Sequence, residues 1–175
     1  MTDDRSHAYA EALLAVARSE GNLAEVEDEL FRFARILEAN DDLRTTLTDA
    51  ALPVSRRQQI VEDLLGGQAS STTTALVSMV VGTGRSRDLP AIIDQLVKLS
   101  AAEGNREVAE VRSAVPLSDD QKQRLAAALE AQTGKKVELK VIIDPTVLGG
   151  LVAQVGDTVI DGSIKTRLQQ LKTAF

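Results

Sequence analysis

The spacing of the hydrophobic residues changes once along this chain, near residues 104 to 107. Before that point apolar residues recur every three or four positions, as in Val26, Leu30, Phe33 and Leu37, which is the spacing of one face of an α-helix. After it, apolar and polar residues alternate, as in residues 137–143, which is typical of a half-buried β-strand. Two patterns in separate blocks predict an all-helical domain followed by a small α/β domain.

The first block, residues 1–105, predicts six short helices joined by brief connections, and therefore a six-helix bundle. Gly21 and the pair Gly66-Gly67 mark helix ends. Ser55 and Gln58 have the spacing of a capping box, which predicts the start of the fourth helix. Residues 71–83 form the predicted fifth helix.

The second block, residues 106–175, predicts a mixed sheet of about four strands with helices. Ser118 and Gln121 form a second capping box, which opens a helix that ends at Gly134. The Gly156-Asp157 pair predicts a tight hairpin turn. The predicted strands cover residues 109–115, 137–143, 148–155 and 158–160, and a last helix covers Ser163 to Thr173.

Composition excludes several classes of protein. The net charge of −6 disfavours binding to nucleic acid or to an anionic membrane surface. Cysteine is absent, which excludes disulfides and thiolate chemistry. No segment approaches the roughly 20 apolar residues of a membrane span. The acidic start of the chain is unlike a signal peptide, so we expect a protein that is not exported.

Few residues suggest chemistry, and each has a simpler interpretation. His7 is the single histidine, so a catalytic triad or a histidine metal cluster lacks its parts. Gly82-Thr83-Gly84 resembles a dinucleotide motif but follows a predicted helix rather than a strand. Asp157 and Asp161 suggest a calcium loop, yet Val159 between them cannot coordinate a cation. We therefore predict no catalytic residue, no cofactor and no metal, and so no enzyme.

The segment DPTVLGGLVAQVGDTVIDGSIKTRL, residues 144–168, closely resembles the signature of the ATP synthase delta family, whose mitochondrial members are called the oligomycin-sensitivity-conferring protein. The resemblance covers nearly the whole chain. Tyr9 to Leu13 match the first helix of the family, and Gly84-Arg85 with Leu89-Pro90 match its junction between the fifth and sixth helices. Ser86 departs from the pattern, which has an apolar residue more often at that position.

Most residues of this signature are predicted to maintain the fold rather than to contact a partner. Glycine permits backbone angles that other residues resist, and inside a strand it allows a bulge. Asp161 and Ser163 have the positions of caps for the last helix. The residues assigned in this way are Gly149, Gly150, Gly156, Asp157, Asp161, Gly162 and Ser163.

The resemblance implies a non-catalytic stator subunit of the F-type proton-translocating ATP synthase. It implies that residues 1–105 bind the N-terminal helix of an alpha subunit of the catalytic head, and that residues 106–175 bind the C-terminal region of the b subunit stalk. We expect a monomer in isolation, one copy per complex, on the cytoplasmic side of the bacterial membrane and attached through the complex. The groove for the alpha-subunit helix is predicted along the first and fifth helices, at Tyr9, Ala12, Leu13, Val16, Leu76, Met79 and Val80.

Two other classes of function remain as alternatives. A generic helical adaptor that binds an amphipathic helix of an unrelated partner has the same fold and differs in its partner. A small hydrolase or metal enzyme needs a reactive cluster that the sequence does not provide. Co-purification from solubilised membranes separates the stator from the adaptor, and a nucleotide-dependence assay separates both of them from an enzyme.

Overall fold

The computed structural model describes residues 2–147, 149–156 and 158–161. Within these ranges the chain forms seven α-helices, one short 3-10 helix at Ser86–Asp88 and four β-strands. The helices are α1 (Thr2–Ser19), α2 (Leu23–Ala39), α3 (Asp41–Thr48), α4 (Val54–Leu65), α5 (Ser71–Gly82), α6 (Leu89–Glu103) and α7 (Asp119–Thr133). The strands are β1 (Arg106–Ser113), β2 (Lys136–Ile143), β3 (Leu151–Val155) and β4 (Thr158–Asp161).

The order of elements confirms a mostly helical chain with a four-stranded mixed sheet in its C-terminal region. Of the seven described helices, six precede the sheet and α7 lies between β1 and β2. The chain divides into two compact units, Met1–Ser100 and Ala101–Phe175. That division falls in the last turn of α6. The predicted helix from Ser163 to Thr173 lies outside the described residues.

The core of the helical unit is built mainly from aliphatic side chains, and α2 contributes one stripe of it. Val26, Leu30, Phe33 and Leu37 recur on one face of α2 and are almost inaccessible to solvent, as the helical spacing requires. Burial of a large apolar side chain stabilises the folded state by about 1.5–3 kcal/mol. The stripe on α2 therefore holds the neighbouring helices to it, and α1, α3 and α5 all pack against α2.

The first turns of α3 and α4 are capped in different ways. Asn40 follows α2 and precedes α3, and its Oδ1 accepts from the backbone N–H of Leu43 at 2.9 Å. The predicted capping box at Ser55 is wrong, because α4 begins one residue earlier, at Val54. Pro53 occupies the N-cap position, and its carbonyl accepts from the N–H groups of Arg56 and Arg57. Ser55 therefore lies inside the first turn, where its hydroxyl cannot act as the cap.

The sheet has the strand order β2-β1-β3-β4, with β1 and β2 parallel and the other pairs antiparallel. Helix α7 connects the parallel pair, since parallel strands need a long crossover. The capping box at its start is confirmed: Ser118 N–H donates to Gln121 Oε1 at 2.8 Å, and Gln121 N–H donates to Ser118 Oγ at 3.3 Å. The buried core between α7 and the sheet is Ala109, Val111, Leu129, Val137, Ala153 and Val155.

Glycines set the turns beside β3. The prediction of a strand from residue 148 with a bulge at the glycine pair is wrong, because β3 begins at Leu151. Gly149 and Gly150 have φ angles of 63° and 83°, a left-handed conformation that cannot continue a strand. The hairpin prediction is confirmed, since Val155 pairs with Thr158 across a two-residue turn that begins at Gly156, with φ 56°.

Candidate partner-binding faces of α1 and α5

Helix α1 has one face in the core and one face in solvent. Leu13 is 1% exposed and packs inside with Ala10 and Ala17. Ala12 is exposed, and Val16 is 40% exposed. Ala8 and Ala15 lie exposed near these two residues in the sequence. The centre of the outer face of α1 therefore carries small apolar side chains, which let another helix approach closely.

Residues 75–82 of α5 are mostly apolar, whereas its first four residues are one serine and three threonines. Leu76 and Val80 are buried in the helical unit, whereas Met79 is 43% exposed. Ala75, one turn before Met79, is exposed as well. A methionine side chain is flexible and polarisable, so it adapts to different partner surfaces.

The predicted groove residues therefore divide into two sets. Ala12, Val16 and Met79 face solvent and Tyr9 is half-buried, so these four side chains are accessible to a partner. Leu13, Leu76 and Val80 lie in the core, so their direct effect is on packing. The burial of this second set has a simple reason. An apolar stripe at helical spacing can face a partner or the core of the same protein, and the sequence pattern is the same in both cases.

An open groove of about 800 Å³ runs between α4 and α5. Met79, Ala75 and Ser71 line one side of it, and Gln58 and Glu62 line the other. Among its described lining residues, Glu62 alone carries a charge. The accessible face of α5 thus borders α4, and a partner that covers Met79 also comes close to this carboxylate.

The first turn of α5 is held by a carboxylate from α2. Ser70 is the N-cap residue, and its N–H donates to both carboxylate oxygens of Glu29 at 3.0 Å. The hydroxyls of Ser70 and Thr73 donate to Glu29 Oε2 at 2.7 and 2.6 Å. Sequence reasoning missed this cluster, because Ser70 before α5 is a usable signal of the N-cap but does not point to Glu29.

These hydrogen bonds change the pKa of Glu29. Partial burial disfavours the charged form and by itself would raise the pKa of Glu29. The hydrogen bonds from Thr73 and Ser70, with the nearby charge of Arg32, outweigh it and lower that pKa below its usual value. The ionised carboxylate is therefore the form that the folded helical unit selects.

The described signature residues of the α/β unit lie in turns, except Asp161, which lies in a strand. Gly149, Gly150 and Gly156 adopt positive φ angles. Asp161 ends β4 and pairs with Val152, while Asp157, Gly162 and Ser163 lie outside the described residues.

Asp144, which follows β2, acts as a turn residue. Its Oδ1 accepts from the hydroxyl and the N–H of Thr146 at 2.6 and 2.9 Å. These hydrogen bonds, with the charge of Arg112, lower the pKa of Asp144. The carboxylate thus remains ionised and occupied with its own turn, which does not suit an acid or base in catalysis.

The face of β2 that alternates away from the α7 core carries ion pairs. Lys140 is only 4% exposed, and its Nζ lies 2.8 Å from Oε1 of Glu138. Arg106 Nη1 approaches the other oxygen of Glu138 at 3.0 Å. A buried lysine requires such a partner, so this face of the sheet has a fixed pattern of charge.

Two features typical of other classes of protein are absent from the described part of the chain. Over those residues, no group of three or more histidine, cysteine or acidic side chains is arranged to hold a metal ion. The helices described there include none long and apolar enough to cross a membrane. His7 lies 3.5 Å from Glu11 one turn later in α1, as a surface histidine does.

Comparison with known proteins gives consistent matches over nearly the whole chain. A family model described as "ATP synthase delta (OSCP) subunit" matches residues 6–175. The ATP synthase subunit delta of Streptomyces avermitilis is 49% identical over 159 residues, which is 91% of this chain and 58% of that protein. The subunit delta of Nocardia farcinica is 44% identical over 162 residues, 93% of this chain and 60% of that protein. The chain thus spans less than two thirds of the length of these curated relatives.

A solved structure shares the fold. A chain in the cryo-EM structure of the Toxoplasma gondii mitochondrial ATP synthase hexamer superposes with a TM-score of 0.56 and 27% identity. The match covers 97% of this chain and 96% of that one.

Proposed function

The chain belongs to the ATP synthase delta (OSCP) subunit family, and from this premise we infer that it is a non-catalytic peripheral-stalk subunit of an F-type ATP synthase. The family match over residues 6–175 carries the inference, and the family prediction from the sequence is confirmed. In this role the chain links the catalytic head to the stalk and resists the torque of the rotor, and it makes no ATP itself.

The helical unit is the proposed attachment to the head. The N-terminal helix of an alpha subunit binds along the outer faces of α1 and α5, with Ala12, Val16 and Met79 as the accessible contacts and Tyr9 at the edge. Small residues in α1 let the two helix backbones approach, and the flexible Met79 side chain fits the apolar stripe of the incoming helix.

The α/β unit is the proposed attachment to the b subunit. Its sheet carries exposed basic side chains at Arg106 and Arg112, which are 43% and 49% accessible, and these give a partner helix positions for complementary charges. The chain acts as one copy per complex and is a monomer when isolated. It reaches the cytoplasmic side of the bacterial membrane through its partners.

Co-purification tests this function. The complex is solubilised from membranes of a strain that expresses a tagged copy of the chain, and the captured proteins are identified by mass spectrometry. The alpha, beta and b subunits of the ATP synthase are expected in fixed proportion to the tag. Capture of an unrelated helical protein in place of these subunits would favour the adaptor alternative and contradict the stator function.

A further inference from the structure

We propose that Glu29 is a positioning residue for partner recognition: its carboxylate fixes the first turn of α5 against α2 and thereby sets where Met79 stands on the surface. The proposal rests on the proposed function for the identity of the partner. The part of the proposal that concerns the position of α5 does not depend on the partner, because it is argued from contacts within this chain.

Contacts from α5 to Glu29 are unusually concentrated. Both carboxylate oxygens accept from the N–H of Ser70, and Oε2 also accepts from the hydroxyls of Ser70 and Thr73. Ser70 Oγ in turn accepts from the N–H of Thr73 at 3.2 Å. One side chain on α2 therefore binds the N-cap residue of α5 and the third residue of its first turn.

Apolar packing alone does not fix the position of α5. Its buried face is made of branched aliphatic side chains, Leu76, Val77, Val80 and Val81, and hydrophobic burial is non-directional. Hydrogen bonds to a carboxylate are directional and lose strength steeply with poor geometry. The Glu29 cluster therefore specifies the position of the first turn of α5. It acts together with single, longer hydrogen bonds from Asn22 Nδ2 to Thr72 Oγ1 at 3.3 Å and from Gln58 Nε2 to the carbonyl of Ser78 at 3.2 Å.

A small displacement at the first turn changes the binding face. Successive residues of an α-helix differ in direction by about 100°, so Ala75 and Met79, one turn apart, share one edge of the helix. Rotation of α5 moves both side chains together and alters the groove shared with Gln58 and Glu62. Affinity for a partner helix then depends on Glu29, although Glu29 itself does not touch the partner.

The negative charge of Glu29 also supports its role as a positioning residue. The N-terminus of a helix carries partial positive charge and unpaired N–H groups, so an anionic side chain is favoured there. In the variant Glu29→Gln the side chain keeps its size but presents an amide N–H₂ group where the carboxylate accepted from N–H and O–H donors. At least one donor of Ser70 or Thr73 then loses its carboxylate acceptor.

The experiment measures the position of α5 and the binding of a partner in the same variants. The chain lacks cysteine, so Ile36→Cys on α2 and Met79→Cys on α5 place two spin labels at exposed sites. Distances between the labels are measured by pulsed electron paramagnetic resonance in the full chain, with and without Glu29→Gln. Separately, unlabelled chains are titrated by calorimetry with a synthetic alpha-subunit N-terminal peptide.

Two further variants separate position from stability. Asn40→Ala removes the cap of α3 and lowers stability at a site outside α5, so it is the matched control. Thr73→Val removes one donor to Glu29 and keeps the side-chain volume, which gives a milder test if Glu29→Gln fails to fold.

We expect Glu29→Gln, and to a smaller extent Thr73→Val, to shift or broaden the label distance and to weaken peptide binding about tenfold at unchanged stoichiometry. Asn40→Ala should change neither. A label distance that stays unchanged in both Glu29→Gln and Thr73→Val would overturn the positioning role, and so would a shifted distance with unchanged affinity. If the parent chain does not bind the peptide while the distance still shifts, the proposed partner fails and the positioning of α5 by Glu29 stands.

Discussion

Both carboxylate oxygens of Glu29 lie 3.0 Å from the backbone nitrogen of Ser70, the residue that caps α5. A residue of the second helix thus completes the start of the fifth helix, 41 positions later in the chain. The interaction depends on an ionised carboxylate, because a protonated one presents an O–H donor to groups that are themselves donors.

The first prediction concerns the pH dependence of stability. Since the folded state lowers the pKa of Glu29, its stabilisation is fully present above the unfolded-state pKa, about 4.3, and is lost as pH falls through the lower folded-state value. Glu29→Gln should reduce the unfolding free energy by roughly 1–3 kcal/mol at neutral pH, and the difference from the unmodified chain should shrink at low pH. Urea denaturation of both proteins from pH 7 to pH 3 measures this difference. A difference that stays constant over this range would contradict it.

Two buried serines give a matched pair of stability predictions. Ser86 Oγ is buried without a hydrogen-bond partner, whereas Ser100 Oγ donates to Glu27 Oε2 at 2.7 Å. Ser86→Ala removes a desolvated hydroxyl and should raise stability by about 1 kcal/mol, whereas Ser100→Ala should lower it by roughly 1–3 kcal/mol. Thermal melts report both changes. In a unit of about 100 residues, such as the helical unit, a change of 1 kcal/mol in the unfolding free energy moves the melting temperature by about 4–8 °C. Equal shifts in the same direction would show that the difference in hydrogen bonding does not matter.

The third prediction tests the outer face of α1. Ala12→Trp places a large ring on an exposed position, so the melt should stay unchanged while binding of the alpha-subunit N-terminal peptide falls by about 3 kcal/mol, roughly a hundredfold. The neighbouring variant Leu13→Ala empties a core position and should lower stability by about 2–5 kcal/mol. Unchanged binding to Ala12→Trp with an unchanged melt would place the partner on another face.

The fourth prediction concerns the separability of the two units. Within the stretch 102–107, Gly104 and Asn105 form the turn between α6 and β1, and Asn105 has a positive φ of 51°, which is uncommon for a residue other than glycine. Exposed irregular backbone of this kind is where proteases cut. Limited proteolysis should release a helical fragment of roughly the first hundred residues that unfolds cooperatively on heating. A fragment without a cooperative transition would mean that the helical unit depends on the rest of the chain.

Elements with strong local signals were predictable from the sequence. The stripe from Val26 to Leu37 indicated the core of α2, and the alternation in 137–143 indicated β2. The capping box at Ser118 was also predictable, because both of its partners lie in one turn. Ser55 had the same spacing but failed as a cap, since Pro53 began the helix first. The glycine pair before β3 was assigned to the strand because periodicity does not report the sign of φ.

The candidate site was predictable only in part. The family resemblance gave the predicted groove on α1 and α5, and helical periodicity could not separate Leu13, which is buried, from Ala12, which is exposed. That separation depends on which neighbours pack against each helix. The Glu29 cluster was missed altogether, because its members are 41 and 44 residues apart and no local pattern connects them.

The proposed function, in which this chain joins the catalytic head to the membrane-bound part of the synthase, is tested by reconstitution. Membranes stripped of the head and of this subunit are mixed with purified head that lacks the subunit, with and without the purified chain, and sedimented. ATPase activity in the pellet reports the bound head. We expect the head to sediment with the membranes when the chain is present and to stay in the supernatant when it is absent. Equal recovery of ATPase activity in the pellet with and without the chain would contradict the joining role.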